Sequence, residues 1–322
     1  MTRATAELEA QVLVWIKGKR PADFGETVRQ LHGWQFRHTA PYRHFCEQAG
    51  IGKIVEHWRQ VPSVPQEAFK HADLRSFPAE ETIKPFRTSG TTGEGFGQHH
   101  FRTLEIYETA VREGWRHANM PTGPFLVIAP HPDEAPYSSL SRMLGVLAPR
   151  ELFIAAGGTV DLARLQAIEH PVCLLGTALG FLNLFEQMDK AGITLRLPAG
   201  SSAMETGGYK GSGRNISRAD LYAMFGDKLG IAPDDIYNEY GMTELSSQFY
   251  ARGPQGLHHG PPWARAVVAD PVTLDEVNEG ETGARLTHIE YLRRKTALLV
   301  EKRGSARRAL ARSELRIVPH DT

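Results

Sequence analysis

Residues 171–190 open with Pro171-Val172-Cys173-Leu174-Leu175-Gly176 and continue from Ala178 to Lys190 with apolar residues at 179, 181, 182, 184 and 185. The first six form a continuous apolar run of strand length, and the remainder repeats at helical spacing, so a buried strand passes directly into an amphipathic helix. Towards the N-terminus, Phe125 to Ala129 (FLVIA) ends in Pro130-His131-Pro132, and Glu151 to Ala156 (ELFIAA) ends in Gly157-Gly158. Both read as buried strands, and Asp161 to His170 has helical period. Towards the C-terminus a helix capped by Ser217 runs to about Leu229, and Asp235-Ile236-Tyr237-Asn238 reads as a strand before a turn at Tyr240-Gly241-Met242. Ala266 to Ala269 (AVVA) is a further strand. Such alternation over about 120 residues predicts an α/β domain with a largely parallel sheet, whose ligand sites lie beyond the carboxyl ends of the strands.

Outside this stretch the pattern changes. Leu8, Val12, Ile16, Phe24, Val28 and Leu31 recur at helical spacing, with Pro21 and Gly33 as punctuation, which predicts two or three helices before about Gly50. Prolines at 62, 65, 78 and 85 then break any long helix and lead into a glycine-rich run. No internal repeat or low-complexity linker divides the chain.

Composition narrows the function classes. The 322 residues are 41% hydrophobic and 23% charged, which excludes disordered, fibrous and collagenous chains. Net charge is zero, with 37 Lys+Arg and 37 Asp+Glu, and argues against a protein built to coat nucleic acid. Cys46 and Cys173 give neither a disulfide framework nor metal-ligand spacing. There is no apolar signal segment at the N-terminus and no run approaching the roughly 20 apolar residues of a membrane span, so a cytoplasmic protein without a membrane span is expected.

The strongest local signal is Arg87-Thr88-Ser89-Gly90-Thr91-Thr92-Gly93-Glu94-Gly95-Phe96-Gly97. Alternating hydroxyl residues and glycines let backbone N–H and side-chain O–H donors converge on one anion, the composition of a phosphate cradle. Phe96 stands where a Walker A loop has lysine, and no glycine at 98 completes a dinucleotide fingerprint. An ordinary flexible surface loop has the same composition. A second motif decides between them: Tyr237-Asn238-Glu239-Tyr240-Gly241-Met242-Thr243-Glu244, after a predicted strand.

Thr-Ser-Gly-Thr-Thr-Gly followed about 150 residues later by Tyr-Gly-x-Thr-Glu resembles the adenylate-forming superfamily of acyl-CoA synthetases, adenylation domains and luciferases. The chain is most similar to its LuxE-like acyl-protein synthetase family. That resemblance rests on Phe86 to Gly93, on Glu205-Thr206-Gly207-Gly208-Tyr209-Lys210-Gly211 and on Asn238 to Tyr250, continues weakly through Pro261-Pro262-Trp263 to Gly280-Glu281-Thr282-Gly283, and covers roughly residues 20 to 284. It implies the large N-terminal α/β domain of adenylate-forming enzymes, with mixed sheets flanked by helices and without a full mobile C-terminal domain. It also implies ATP and Mg²⁺ as cofactors, a fatty or other carboxylic acid as substrate and a protein thiol as acyl acceptor.

By that resemblance Thr88, Ser89, Gly90, Thr91, Thr92 and Gly93 hold the β- and γ-phosphates, Thr243 lies near the α-phosphate and Glu244 serves Mg²⁺. Adenine is expected between Gly207-Gly208-Tyr209 and Tyr240-Gly241, with Asn238 as partner of its exocyclic amine and aromatic stacking of about 1–3 kcal/mol. A core aromatic at a strand end is the structural alternative for Tyr240. His131 is expected at the mouth of the acyl pocket, its alternative being a solvated loop histidine. Lys210 could reach a phosphate, although a surface lysine is commoner. His99-His100 and His258-His259 are not read as metal ligands, since adjacent residues of an extended segment point opposite ways.

The pattern departs from the family in two places. Around Glu301-Lys302-Arg303-Gly304 the expected ribose-binding aspartate is missing, and no cysteine follows Cys173 to serve as acyl acceptor. An acceptor in trans, such as a carrier protein or reductase, follows. A carboxylate–CoA ligase of the phenylacetate type shares both motifs, and a non-catalytic nucleotide or acyl-adenylate binding subunit is the alternative of another class. Residues 285–322 read as a divergent basic tail after an adenylating domain of residues 1–284. Arg285 to Arg316 holds ten Lys/Arg against three Asp/Glu, leaving 27 against 34 elsewhere. A solvated basic helix or a docking surface for an acidic partner would both carry that charge.

Overall fold

Strands buried on both faces favour continuous apolar runs, and the first two strands of the central sheet, FLVI and CLLGT, are of this kind. The computed structural model describes residues 3–19, 23–88, 96–209, 212–214 and 216–269, with the strand segments 284–289, 298–300 and 314–315. In the central sheet β1 (Phe125–Ile128), β2 (Cys173–Thr177), β3 (Ser202–Thr206) and β4 (Ile236–Tyr240) lie side by side and parallel, in chain order. β5 (Phe249–Arg252) then pairs antiparallel with β4, His258–His259 with β5, and Glu314–Leu315 with His258–His259. The sheet is therefore mixed. A four-stranded sheet runs Val64–Pro65, Leu298–Val300, Ala284–Ile289, Ala264–Ala269. The described residues of the stretch read above as a basic tail are strands, where the helical alternative called for a helix.

The helices are α1 (Arg3–Ile16), α2 (Phe24–His38), α3 (Ala40–Gln48), α4 (Glu105–His117), α5 (Ser139–Leu147), α6 (Ala178–Ala191) and α7 (Arg218–Leu229), with shorter turns between them. Local chemistry sets their starts. The Thr177 side chain accepts from Gly180 N–H at 2.8 Å, and the Ser217 side chain from Asp220 N–H at 3.1 Å, each satisfying a donor that the first turn leaves open. Successive strand residues point to opposite faces. Leu126, Ile128, Leu174, Ala203 and Ile236 pack on α6 and α7, where Phe181 and Phe185 lie 4.6 and 5.1 Å from Phe225. Val127, Cys173, Leu175 and Met204 face α4 and α5 through Tyr107, Val111, Trp115, Met143 and Leu144. Truncating a fully buried ring such as Phe225 to alanine costs about 3–5 kcal/mol in a core of this kind. Val12 and Ile16 of α1 and Leu31 of α2 join Ile106, Leu245 and Trp263, tying the N-terminal helices to the sheet's far end.

One predicted strand is absent. Glu151 and Leu152 of ELFIAA belong to a 3-10 turn, Arg150–Leu152, and only Ala155–Ala156 extend, pairing with Thr159–Val160 across Gly157-Gly158. Both glycines have positive φ, so the chain reverses where the prediction needed it to enter the sheet. A single bridge, Val127 to Phe153, ties this segment to β1. Among the described residues no helix is long and apolar enough to cross a membrane.

Candidate functional site

Parallel register brings the ends of β3 and β4 together, placing Glu205 beside Asn238 and Thr206 beside Glu239. Gly207 and Gly208 leave the sheet exposed, and the half-buried Tyr240 ends β4 next to them. Its hydroxyl meets Met242 Sδ at 3.4 Å, and its ring stands edge-on to His258 with centroids 6.3 Å apart. Tyr209 packs against the α6–α7 cluster, and burial pushes its hydroxyl up to about 12. Gly241 is constrained by contact: a Cβ there would overlap Glu239 Oε1.

The glycine-rich loop springs from a hairpin of Lys84–Arg87 and Gln98–Phe101. Thr88 N–H donates to Gly97 O at 3.0 Å, and Gly97 N–H to Thr88 Oγ1 at 2.9 Å, closing the loop at its base. Ser89, Gly90, Thr91, Thr92 and Gly93 lie outside the described residues, as do Lys210, Gly211 and Glu301. The second motif meets the loop's base directly. Thr243 Oγ1 donates to Arg87 O at 3.2 Å and lies 3.5 Å from Ser139 Oγ, while His99 Nδ1 sits 2.9 Å from Thr243 O. A carbonyl only accepts, so His99 carries its proton on Nδ1. Arg87 N–H donates to Tyr137 O at 2.9 Å, and its guanidinium lies 3.9 Å from the Tyr137 ring centroid.

Glu244 is 1% exposed, and its Oε1 accepts from Gln66 Nε2 at 3.2 Å. Among the described residues no group of three or more His, Cys, Asp or Glu is placed to hold a metal. A lone carboxylate suits Mg²⁺, which takes one or two carboxylates and completes its octahedron with phosphate oxygens and water.

His131 lies on the segment joining β1 to Tyr137, with its ring edge-on to Phe153 at 4.8 Å. Its Nδ1 lies 3.2 Å from Asp133 N–H, 2.9 Å from Arg150 Nη1 and 3.2 Å from Asp133 Oδ2, so three polar groups converge on one ring nitrogen. At 15% side-chain exposure it is a held ring rather than a freely solvated one.

A buried polar network lies under the strand ends on the α7 side. Asn238 Nδ2 donates to Glu205 Oε1 at 2.6 Å, and Tyr222 OH donates to the same oxygen at 3.2 Å. Asn238 Oδ1 accepts from Arg218 Nη2 at 3.1 Å and from His258 Nε2 at 2.7 Å. Burial raises the Glu205 carboxyl above its ordinary value, opposed by Arg218, Asn238 and Tyr222. An adenine amine would have to exchange with one of the two donors already on Asn238 Oδ1. Arg218, Tyr222 and His258 escaped sequence reading; His258 was weighed only with His259 as a metal question. The two rings diverge, His258 being fully buried and His259 exposed.

On the other face Thr206 Oγ1 donates to Glu239 Oε2, and burial pushes the Glu239 carboxyl up to about 7, with the Glu205 charge adding to the rise. Both cysteines are buried, and desolvation lifts Cys46 to about 11 and Cys173 to about 12. Neither thiol is appreciably a thiolate at neutral pH.

A family model described as acyl-protein synthetase, LuxE, matches residues 149–295, the span that holds β2 to β5 and the Thr243-Glu244 turn. The chain is similar to that family over this span. Two curated relatives named long-chain-fatty-acid–luciferin-component ligase are similar to this chain: one of Vibrio harveyi, 22% identical over 275 residues, and one of Aliivibrio fischeri, 23% identical over 274. Each match covers 80% of this chain and 71% of the relative. The fold is that of acyl-adenylate-forming ligases. A solved 2-hydroxyisobutyryl-CoA ligase, in an open conformation with 2-HIB-AMP and CoA, superposes with a TM-score of 0.63 at 16% identity, covering 85% of this chain and 66% of that one. The same ligase in its thioesterification state gives 0.60 at 17% identity, covering 91% and 62%. This chain thus spans under two thirds of the length of these ligases.

Proposed function

We propose that this chain activates a fatty or related carboxylic acid with ATP, releasing pyrophosphate, and passes the acyl group from the resulting acyl-adenylate to a protein thiol. The observation that carries this reading is the Thr243 hydroxyl on the Arg87 carbonyl, which joins the Thr-Glu turn to the base of the glycine-rich loop although 156 residues separate them. A site of two such motifs suits a nucleotide triphosphate lying between them.

The acid is ionised at neutral pH, so its oxygen attacks the α-phosphorus without a general base, and pyrophosphate leaves from the opposite side. The difficulty is bringing an anion to a polyanion. Donors from Thr88 to Gly93 and from Thr243 would hold the phosphates in line. Glu244 would hold Mg²⁺, which supplies charge neutralisation on those phosphates when bound. Tyr240 and Gly207-Gly208 would bracket the adenine, and His131 would lie at the mouth of the acyl pocket. In the second half-reaction a thiolate sulfur attacks the acyl carbonyl carbon and AMP departs with the bonding electron pair. The burial of Cys46 and Cys173 favours an acceptor in trans, a carrier protein or reductase thiol.

Carboxylate-dependent exchange of pyrophosphate into ATP tests the first half, and Thr92→Ala is expected to lower it about 10²–10³-fold with the fold retained. Undiminished exchange would remove the cradle. Offering CoA and a carrier protein side by side tests the second half, with acyl transfer to the protein expected to dominate.

A further inference from the structure

Between Val61 and the glycine-rich hairpin, one short segment touches both halves of the site. Gln66 Nε2 reaches Glu244 Oε1 at 3.2 Å across 178 residues. The next turn, Ala68–His71, carries Phe69, 5% exposed, whose ring stands edge-on to His99 with centroids 6.0 Å apart. His99 in turn holds the Thr243 carbonyl. The loop's base is also in reach: a Cβ on Gly97 would lie 3.0 Å from Thr88 Cγ2 and 3.4 Å from Phe69 Cβ, so glycine at 97 lets hairpin and turn close on each other. The Gln66 carbonyl accepts from Phe69 N–H at 3.1 Å, which ties the two contacts into one turn.

A carboxylate with a single donor on one oxygen is fixed in rotation, and outer partners of this kind set how a ligand oxygen presents itself. We infer that Gln66 is a positioning residue for Glu244, and that the Gln66–Phe69 turn sets the Thr243-Glu244 turn against the base of the glycine-rich loop. This rests on the reading of Glu244 as the residue that holds Mg²⁺. Gln66 touches no reacting atom. Its effect is to fix one oxygen of Glu244, leaving the carboxylate oriented before nucleotide arrives, so its loss should weaken divalent-cation binding rather than nucleotide binding itself.

The test is direct titration of Mn²⁺, read as free ion by electron paramagnetic resonance, into the full chain with α,β-methylene-ATP. Gln66→Met keeps the length and removes the donor, and about a 10-fold weaker Mn²⁺ affinity is expected, the lower end for loss of such a partner. Affinity for the nucleotide in EDTA should stay unchanged. Gln66→Asn, one methylene too short, should behave alike and serves if the methionine variant does not fold. Wild-type Mn²⁺ affinity in the folded Gln66 variant, with Glu244→Gln weakened, overturns the role of Gln66 alone. Wild-type affinity in Glu244→Gln overturns the metal reading and the inference with it.

Discussion

Adjacent residues on the same two strands are treated in opposite ways. Glu205 and Asn238 face α7, where Asn238 engages three partners and Glu205 receives two donors. Thr206 and Glu239, one residue further along, face α4 and α5, where the only side-chain bond found for the Glu239 carboxyl among the described residues is that of Thr206. Tyr250, opposite Glu239 in register, has a buried hydroxyl with no partner among the described residues. The period of a strand thus separates a satisfied network from an under-satisfied one within about 3.4 Å of chain. The satisfied side braces the strand ends. The other side keeps a carboxyl whose proton is held by burial and by the nearby Glu205 charge.

Removing the centre of the paired side should have the largest effect. Asn238→Ala leaves Glu205, Arg218 and His258 each short of a bond, and a loss of about 4 kcal/mol in urea unfolding is expected. A loss below about 1 kcal/mol would break the contrast between the faces. Glu239 tests the other side through pH. Its carboxyl is raised to about 7 in the folded chain against an ordinary 4.5. The stability this confers is fully present below pH 4.5, where both folded and unfolded chains are protonated. It is lost as pH rises to about 7, because the unfolded chain releases the proton first. Between pH 4.5 and 8 the wild type should lose on the order of 3 kcal/mol that Glu239→Gln does not. Parallel pH profiles of the two would make the carboxyl an ordinary one. The smallest effect is expected at Tyr250→Phe, neutral or stabilising by less than about 1 kcal/mol, because an unpartnered buried hydroxyl is removed. A clear loss in its unfolding midpoint would reveal a partner for that hydroxyl.

Much of the architecture was legible because it is written in apolar runs. FLVIA and PVCLLG became β1 and β2, and Ser217 caps α7 as its sequence predicts. The strand Ser202–Thr206 escaped notice because Ser202, Glu205 and Thr206 are buried polar residues, which break an apolar run without leaving the core. ELFIAA misled in the opposite sense, being apolar enough for a strand yet interrupted by a 3-10 turn and a glycine reversal. At the site, those residues recognised by motif that are described were found on neighbouring elements. Gln66, Arg218 and His258 were not, since each earns its place by a contact across 20 to 178 residues that no local pattern encodes.

The bonds that close the site join residues 66, 87 and 99 to 243 and 244. During synthesis the hairpin and its neighbouring turn therefore wait, with their partners missing, until more than two thirds of the chain has been made. Loop closure over such separations is entropically late, and domains dominated by distant pairings fold slowly. The candidate site is accordingly a final product of folding. A nascent chain stalled before residue 243 would contain all four parallel strands, β1 to β4, and most of the core, yet no site at all.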